Sequence, residues 1–463
     1  MPALVAGTRV LLCEDRRRCR GKVITTRWDE GMSMRRIATG TLLFAILSAT
    51  VAANAAPATP ADAPAAKPAK EKSTKSTAAA SSPSAAPCHT TGTYDAWLAG
   101  FERDAAAQGI SKATISTVAP FLTYDQKIIY IDRGQRVFTQ TFLEFAGRMA
   151  AAYRIQRGQQ LIQSNASTFS RIEQQFGVPA PVIVSFWGLE SDFGANMGKY
   201  HTLSAIASLA YDCRRSDRFR AQLLDALRLI EHRDLTPEDM IGSWAGELGQ
   251  TQMMPSEYNE YGVDFDGNGK RDLIHSVPDV LASTANYLRG LGWKKGEPWL
   301  TEVRVPANMP WDQADLSIQL PRSKWAGWGV TLADGKPLPA DNLPASLLLP
   351  MGRLGPAFLA YQNFQVYLQW NNSLVYSTTA AYLATRIAGA PALRHGSPPP
   401  ALPFEDMKAL QNMLVRAGFD VGKIDGFAGL RTRQAVKAMQ MKYGLPADSY
   451  PTAELLARMR GGG

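Results

Sequence analysis

The 463 residues are 45% hydrophobic and 20% charged, an ordinary globular composition with room for more than one buried core. The formal charge is +9, but residues 1–55 carry +5 of it and residues 56–87 a further +2, leaving only +2 for the rest. A nucleic-acid binder keeps its positive charge on the folded domain, so that class is excluded. In chain order, Arg35 and Arg36 precede the apolar run Ile37–Val51, and Ala53, Asn54 and Ala55 follow it. A basic start, a short apolar stretch and small residues make the pattern of a cleavable secretory signal, so 1–55 reads as a leader, with Met32 or Met34 as the natural start. The run is short for a membrane span. No cysteine directly follows the cleavage point, so no lipid anchor is expected.

Residues 56–87 are Ala, Pro, Ser, Thr and Lys with almost nothing large and apolar, the composition of a disordered tether. The segment 88–393 reads as mainly helical. Apolar residues recur at helical intervals over 94–107, 138–154, 160–176, 181–189, 217–229 and 276–291. Between about 295 and 350, Pro, Gly and Trp punctuate shorter pieces that suit loops and brief strands. Phe364–Trp370 alternates and fits either a strand or the lead-in to a helix. A Pro-rich linker, 394–403, precedes a small unit at 404–460, in which Met407, Leu410 and Leu414, then Val436, Met439 and Tyr443, then Leu455, Leu456 and Met459 form three helical faces. Such a linker predicts a module that moves independently.

Beyond the leader two cysteines remain, Cys88 and Cys213, and in an oxidising compartment they are expected to pair. The sharpest local feature is 178–194, where Pro181 suits a first helical turn and Val182, Ile183, Phe186 and Leu189 build an apolar face. Glu190 closes that face, flanked by Trp187 and Phe193. A carboxyl against apolar surface holds its proton to higher pH, as a general acid on a glycosidic oxygen requires. The residues alone fit equally a surface glutamate at a helix end. A second stretch, 242–258, sets glycines 242, 246 and 249 where backbone can approach another surface, and mixes Gln250, Gln252 and Ser256 with Trp244 and Tyr258. Polar groups beside flat rings suit sugars, and a Gly-rich capping turn has the same composition.

Together these stretches resemble the lytic murein transglycosylase B family, as do Leu354–Phe364 and Trp370–Tyr376. The resemblance implies a lysozyme-like, mainly helical catalytic domain with minor β structure over 88–393, and Glu190 as its single catalytic acid/base. It further implies a periplasmic enzyme that needs no cofactor and cuts peptidoglycan glycan strands without water. One glutamate suffices because the substrate's own C6 hydroxyl is the nucleophile. Ser256 matches a cleft serine, with Glu257 replacing the next one. Asn371 and Tyr376 match a late motif in which Trp370 stands for a tyrosine. Arg214 and Arg215 match a pair facing peptide carboxylates, and Arg218 sits where a cleft tyrosine is expected.

The loop 264–275 is similar to an EF-hand, with Asp264, Asp266, Asn268 and Asp272 in place but His275 at the twelfth position, so a structural turn, or at best weak calcium, is expected. No catalytic metal site is expected. The unit at 404–460 resembles a three-helix peptidoglycan-binding domain, carried by Leu410, Gln411, Gly418, Asp425, Gly426, Thr432, Gln440 and Gly444. A monomer is expected, with other cell-wall enzymes as candidate partners. The competing readings are a lysozyme-type hydrolase, which would recruit Asp192 or Glu247, and a non-catalytic wall-binding protein.

Overall fold

The structure, a computed structural model, describes residues 92–134 and 140–461. The leader, the tether and Cys88 lie outside the described residues. The first helix, Tyr94–Ala107, occupies the expected span, capped by the Thr93 side chain, which accepts from the Ala96 N–H. Two expected long helices are instead three: Phe142–Met149, Ala152–Ser164 and Ala166–Phe176. Thr141 and Glu144 form a reciprocal capping box that starts the first of them late. Ala151 is extended at φ −62°, ψ 153°, which breaks the helix while apolar residues on both sides still face one core. Periodicity therefore ran through the break unmarked.

The helix Ala180–Ser191 is the axis of the domain. Every residue from Val182 to Leu189 is buried, because helices Ala152–Ser164, Ala166–Phe176, Val277–Gly290 and Leu374–Ile387 all pack around it. The approach is close at Gly158, where a Cβ would lie 3.0 Å from both Ile387 and Val184 side chains. Several helices escaped the sequence reading, among them Thr202–Tyr211 and Leu374–Ile387. Both are buried on nearly all sides, so neither carries an amphipathic period. The ambiguous Phe364–Trp370 run is helical, within Gln362–Trp370.

Among the described residues the short strands, in chain order, are β1 (Tyr200–His201), β2 (Ile241–Gly242), β3 (Leu300–Arg304), β4 (Leu320–Pro321), β5 (Thr331–Leu332), β6 (Pro344–Leu348) and β7 (Ala357–Ala360). The last five form one antiparallel sheet in the order β4-β6-β7-β3-β5. One face carries a second core around Trp325, Val303, Leu347 and Leu359.

The C-terminal helices are Phe404–Arg416, Leu430–Lys442 and Ala453–Arg460. They enclose Leu410, Leu414, Val436, Leu455 and Leu456. Buried Gln411 organises the loop between the first two, accepting from Gly426 N–H at 2.8 Å and donating to Phe427 O at 3.0 Å. This unit does not stand free, contrary to the expectation from its Pro-rich linker. All described residues fall in one compact unit. Buried Arg433 donates to Leu349 O at 2.5 Å, and Arg353 N–H donates to Asp448 at 2.9 Å. Lys437 faces Asp315 at 3.6 Å, and Tyr450 joins the main core. The linker itself is tied down by Ser397 N–H to Leu354 O at 2.8 Å.

Candidate active site

Glu190 is the partly exposed end of an otherwise buried helix. The helix stops one residue later because Asp192 and Phe193 turn into the left-handed region, at φ 54° and 63°. Asp192 is held there by Arg154 at 3.1 Å and Tyr153 at 3.1 Å. It therefore serves the turn, and its carboxylate is already paired. Ser191 ties the same turn to the next segment, donating to Gln250 O at 2.5 Å and accepting from Gly194 N–H at 2.8 Å.

Two donors converge on one oxygen of Glu190. The Trp370 indole N–H reaches Oε1 at 2.9 Å, and the buried Tyr376 hydroxyl donates to the same atom. Trp370 is the last residue of its helix, and Tyr376 lies in the first turns of the next, so the short 371–373 connection places both. Oε2 is the oxygen left for chemistry. Burial pushes the Glu190 carboxyl up to about 7; the two hydrogen bonds oppose this, and nearby Glu247 and Glu257 add to it. Tyr376 is raised well above its ordinary value, chiefly by burial and then by Glu190, so it remains a donor.

Around the acid runs an aromatic wall. Trp370 packs on Phe186 at 4.3 Å and on Tyr287 at 5.0 Å between ring centroids, and Tyr287 stacks on Tyr261 at 4.7 Å. Tyr287 donates to Glu257 at 2.9 Å, while Glu257 also accepts from Met254 N–H at 2.9 Å at the start of helix Pro255–Tyr261. Glu247 accepts from the Ser243 hydroxyl. Burial is the main cause raising both Glu247 and Glu257, and the positive charge of Arg218 opposes it at each.

The remaining expected residues divide. Gln250 is buried and closed inside the wall: it accepts from the Trp187 indole at 2.8 Å and donates to Ile274 O at 2.8 Å. That corrects its expected sugar-binding role, since its amide holds the helix of Glu190 to the 242–254 loop. Gln252 donates to Gly249 O at 2.8 Å and Met197 O at 3.1 Å. Ser256 exchanges hydrogen bonds with Gln222, at 2.9 and 3.1 Å. Asn371 is buried and accepts from Ser373 N–H at 2.9 Å, which shapes the turn between Trp370 and Tyr376. Arg214 and Arg215 both donate to buried Asp132, one carboxylate shared by two guanidiniums, and the Arg214 side chain stays 46% exposed. The glycines behave as expected: a Cβ on Gly242 would meet Glu247 O at 2.1 Å, and one on Gly249 would meet Leu273 O at 2.5 Å.

The acidic loop is a turn in which Asp264 accepts from Gly267 N–H at 2.8 Å and Asn268 N–H at 3.0 Å, and one residue beyond the twelve-residue pattern joins it. Asp264, Asp266 and Asp279 bring one oxygen each within 4.8 Å of one another among the described residues. The carboxylate missing at His275 is thus matched by Asp279, from the following helix. Asp279 is fully buried, accepts from Phe265 N–H at 2.7 Å and Asp272 N–H at 2.9 Å, and is raised chiefly by burial. Three converging oxygen ligands suit a hard cation.

Sequence reasoning missed Tyr287 and the role of Glu257. Neither belongs to a local pattern, and their hydrogen bond joins residues thirty apart in the chain. Cys213 is disulfide-bonded. Among the described residues no helix is long and apolar enough to cross a membrane.

Residues 93–385 match the family described as "Transglycosylase SLT domain", and residues 405–459 match "Putative peptidoglycan binding domain". Membrane-bound lytic murein transglycosylase B of Escherichia coli (strain K12) is 30% identical over 250 residues, covering 53% of this chain and 67% of that protein. SltB3 from Pseudomonas aeruginosa, solved in complex with NAG-anhNAM-pentapeptide, is 39% identical at a TM-score of 0.74, covering 80% of this chain and 99% of that one. Escherichia coli Slt35, solved in complex with calcium, is 26% identical at a TM-score of 0.54, covering 63% of this chain and 92% of that one. With the family match over residues 93–385 and the helical frame shared with these solved structures, the chain belongs to the SLT-domain transglycosylase family.

Proposed function

We propose that this protein is a peptidoglycan lytic transglycosylase that breaks the β-1,4 bond between N-acetylmuramic acid and N-acetylglucosamine, leaving 1,6-anhydro ends. The observation that carries this reading is the environment of Glu190. One oxygen is fixed by Trp370 and Tyr376, and the carboxyl keeps its proton to about 7. Glu190 gives its proton to the glycosidic oxygen as the C1–O bond breaks. The resulting carboxylate then removes the proton of the muramoyl C6 hydroxyl, whose oxygen bonds to C1. Atoms balance without water, and Glu190 ends protonated.

A hydrolase would need a second, ionised carboxylate to hold water. Asp192 is paired with Arg154, and Glu247 and Glu257 are occupied by Ser243 and Tyr287 and pushed up by burial. That arrangement favours the internal nucleophile. The C-terminal unit, by its family, holds the enzyme to the wall. Arg35, Arg36 and the apolar run after them support export to the periplasm, and Cys88 is the proposed partner of Cys213. Calcium, held by Asp264, Asp266 and Asp279, would supply structural charge, binding the loop to helix Val277–Gly290; no step of the sugar chemistry uses it.

Mass analysis of digested sacculi tests the proposal. Anhydro products weigh one water less than hydrolysed ones, and Glu190→Gln should abolish their formation while leaving the thermal melt cooperative. Products carrying the mass of water, or an active Glu190→Gln variant, would overturn it.

A further inference from the structure

Trp370 can serve as a donor to Glu190 only while something holds its indole in place. An indole N–H at 2.9 Å from a carboxylate is directional, so a small rotation of the ring would lose the bond. The ring packs against Phe186, which belongs to the buried axial helix. It also packs against Tyr287, 8% exposed, from helix Val277–Gly290. Tyr287 is itself restrained at two points: its ring stacks on Tyr261, and its hydroxyl donates to Glu257 Oε1 at 2.9 Å. Glu257 cannot drift, because its other oxygen accepts from Met254 N–H at 2.9 Å in the first turn of its helix. The series thus runs from a helix cap, through one carboxylate, one phenol and one indole, to the oxygen of the acid.

We propose that Glu257 is a positioning residue: its carboxylate pins the Tyr287 hydroxyl, Tyr287 backs the Trp370 ring, and the indole N–H is thereby aimed at Glu190 Oε1. This keeps Oε1 closed, so that the transferable proton resides on Oε2. Because the inference rests on Glu190 being the acid, it goes one step beyond the functional reading and can fail separately. Glu257 acts through others; it is not a catalytic residue. Charge alone does not explain its placement, since Arg218 faces both Glu257 and Glu247 and offsets them. The hydroxyl bond to Tyr287 is what the geometry adds.

A double-mutant cycle tests it, measured as formation of anhydro products from soluble glycan fragments at pH 6, where Glu190 keeps its proton. Tyr287→Phe deletes only the hydroxyl and should lower kcat about threefold to tenfold, with KM unchanged within about twofold. In a Trp370→Phe background, where no indole remains to be aimed, the same change should cost nothing further. Glu257→Ala should match Tyr287→Phe, whereas Glu257→Gln, whose one amide oxygen can accept from the phenol or from Met254 N–H but not from both, should fall between that variant and the parent. Thermal melts confirm that each variant is folded. Parental kcat in Tyr287→Phe, an equal loss in both backgrounds, or parental kcat in Glu257→Ala would each overturn the inference. Glu190→Gln is assayed alongside. If it stays active, or products lack anhydro ends, the functional reading has failed; if it is dead and the cycle is additive, only this inference has.

Discussion

The end of the axial helix and the arginine pair at 214–215 both place charge beside a buried partner, and they treat it oppositely. At Glu190 two donors are spent on one oxygen, and the second oxygen is left over. At Asp132 two guanidinium groups are spent on one buried carboxylate, with side-chain exposures of 46% and 23% for the arginines and 1% for the aspartate. The first arrangement leaves an acid able to change protonation near neutral pH. The second closes charge upon charge and holds helix Gln126–Arg133 to the start of helix Ser216–Glu231. Motif membership could not separate them, because both sit in stretches that resemble the family's cleft. Each carboxylate keeps a second oxygen without a hydrogen bond, so spare capacity does not separate them. The partners do: Glu190, the open group, is held by neutral donors, while Asp132, the closed one, is held by two permanent cations.

The strongest way to break this distinction is at the open group. Tyr376→Phe removes one of two donors to Glu190 while keeping the ring, and should lower kcat roughly 10–100-fold with little change in melting temperature. The pH profile sharpens the test. The free enzyme needs Glu190 protonated, so kcat/KM should fall as pH rises through about 7. Removing a donor that favours the carboxylate raises that pKa, so in Tyr376→Phe the alkaline limb should move to higher pH. A limb that stays in place, or moves down, would mean that another group sets it.

At the closed group the readout should be reversed. Asp132→Asn keeps the shape but leaves two guanidiniums without an anion. The cost should be about 2–3 kcal/mol of stability, below the range for a fully buried pair because the arginines are partly solvated. The rate at saturating substrate should stay within about twofold. Denaturant melts and steady-state kinetics on one preparation give both numbers. A large kcat loss with unchanged stability would place the arginine pair in the cleft after all.

Much of this could be read from the chain, and the failures have physical causes. The helix of Glu190 was legible because Pro181 and Gly194 bracket an apolar run that ends on one carboxyl. Tyr94–Ala107 was legible because it is half-exposed and keeps its period. Thr202–Tyr211 and Leu374–Ile387 were not, since burial on all sides erases the alternation that marks a helix. Gln250 looked like a sugar ligand because an amide has the same composition facing in or out. Asp279 was not legible as a companion of Asp264 because it lies in the following helix, outside the twelve-residue loop pattern. Glu257 and Tyr287 were invisible as a pair, since only the packing of two helices joins them.

The docked C-terminal unit is the subtlest of these cases and allows the smallest effect to be anticipated. Arg433 lies among polar neighbours in helix Leu430–Lys442 and reads as a surface residue, yet it is 7% exposed and donates to Leu349 O and Pro350 O at the end of β6. By the partner inventory it is a closed group, so its loss should move stability and not chemistry. Arg433→Met keeps most of the side-chain length but removes both donors, which should cost about 1–2 kcal/mol, less than Asp132→Asn because two backbone carbonyls, not a charge, are left behind. Loosening the unit should also free the 394–403 linker, which Ser397 N–H pins to Leu354 O. Limited proteolysis should therefore cut Arg433→Met within that linker faster than the parent, and kcat on soluble fragments should be unchanged. Unaltered cleavage and an unaltered melt would mean that the seam contributes nothing and that the Pro-rich segment does act as the free hinge its composition suggests. A fall in kcat would instead link the seam to the acid, for which a route exists: Gln365 and Leu368 line the cavity at the seam, on the helix that ends at Trp370.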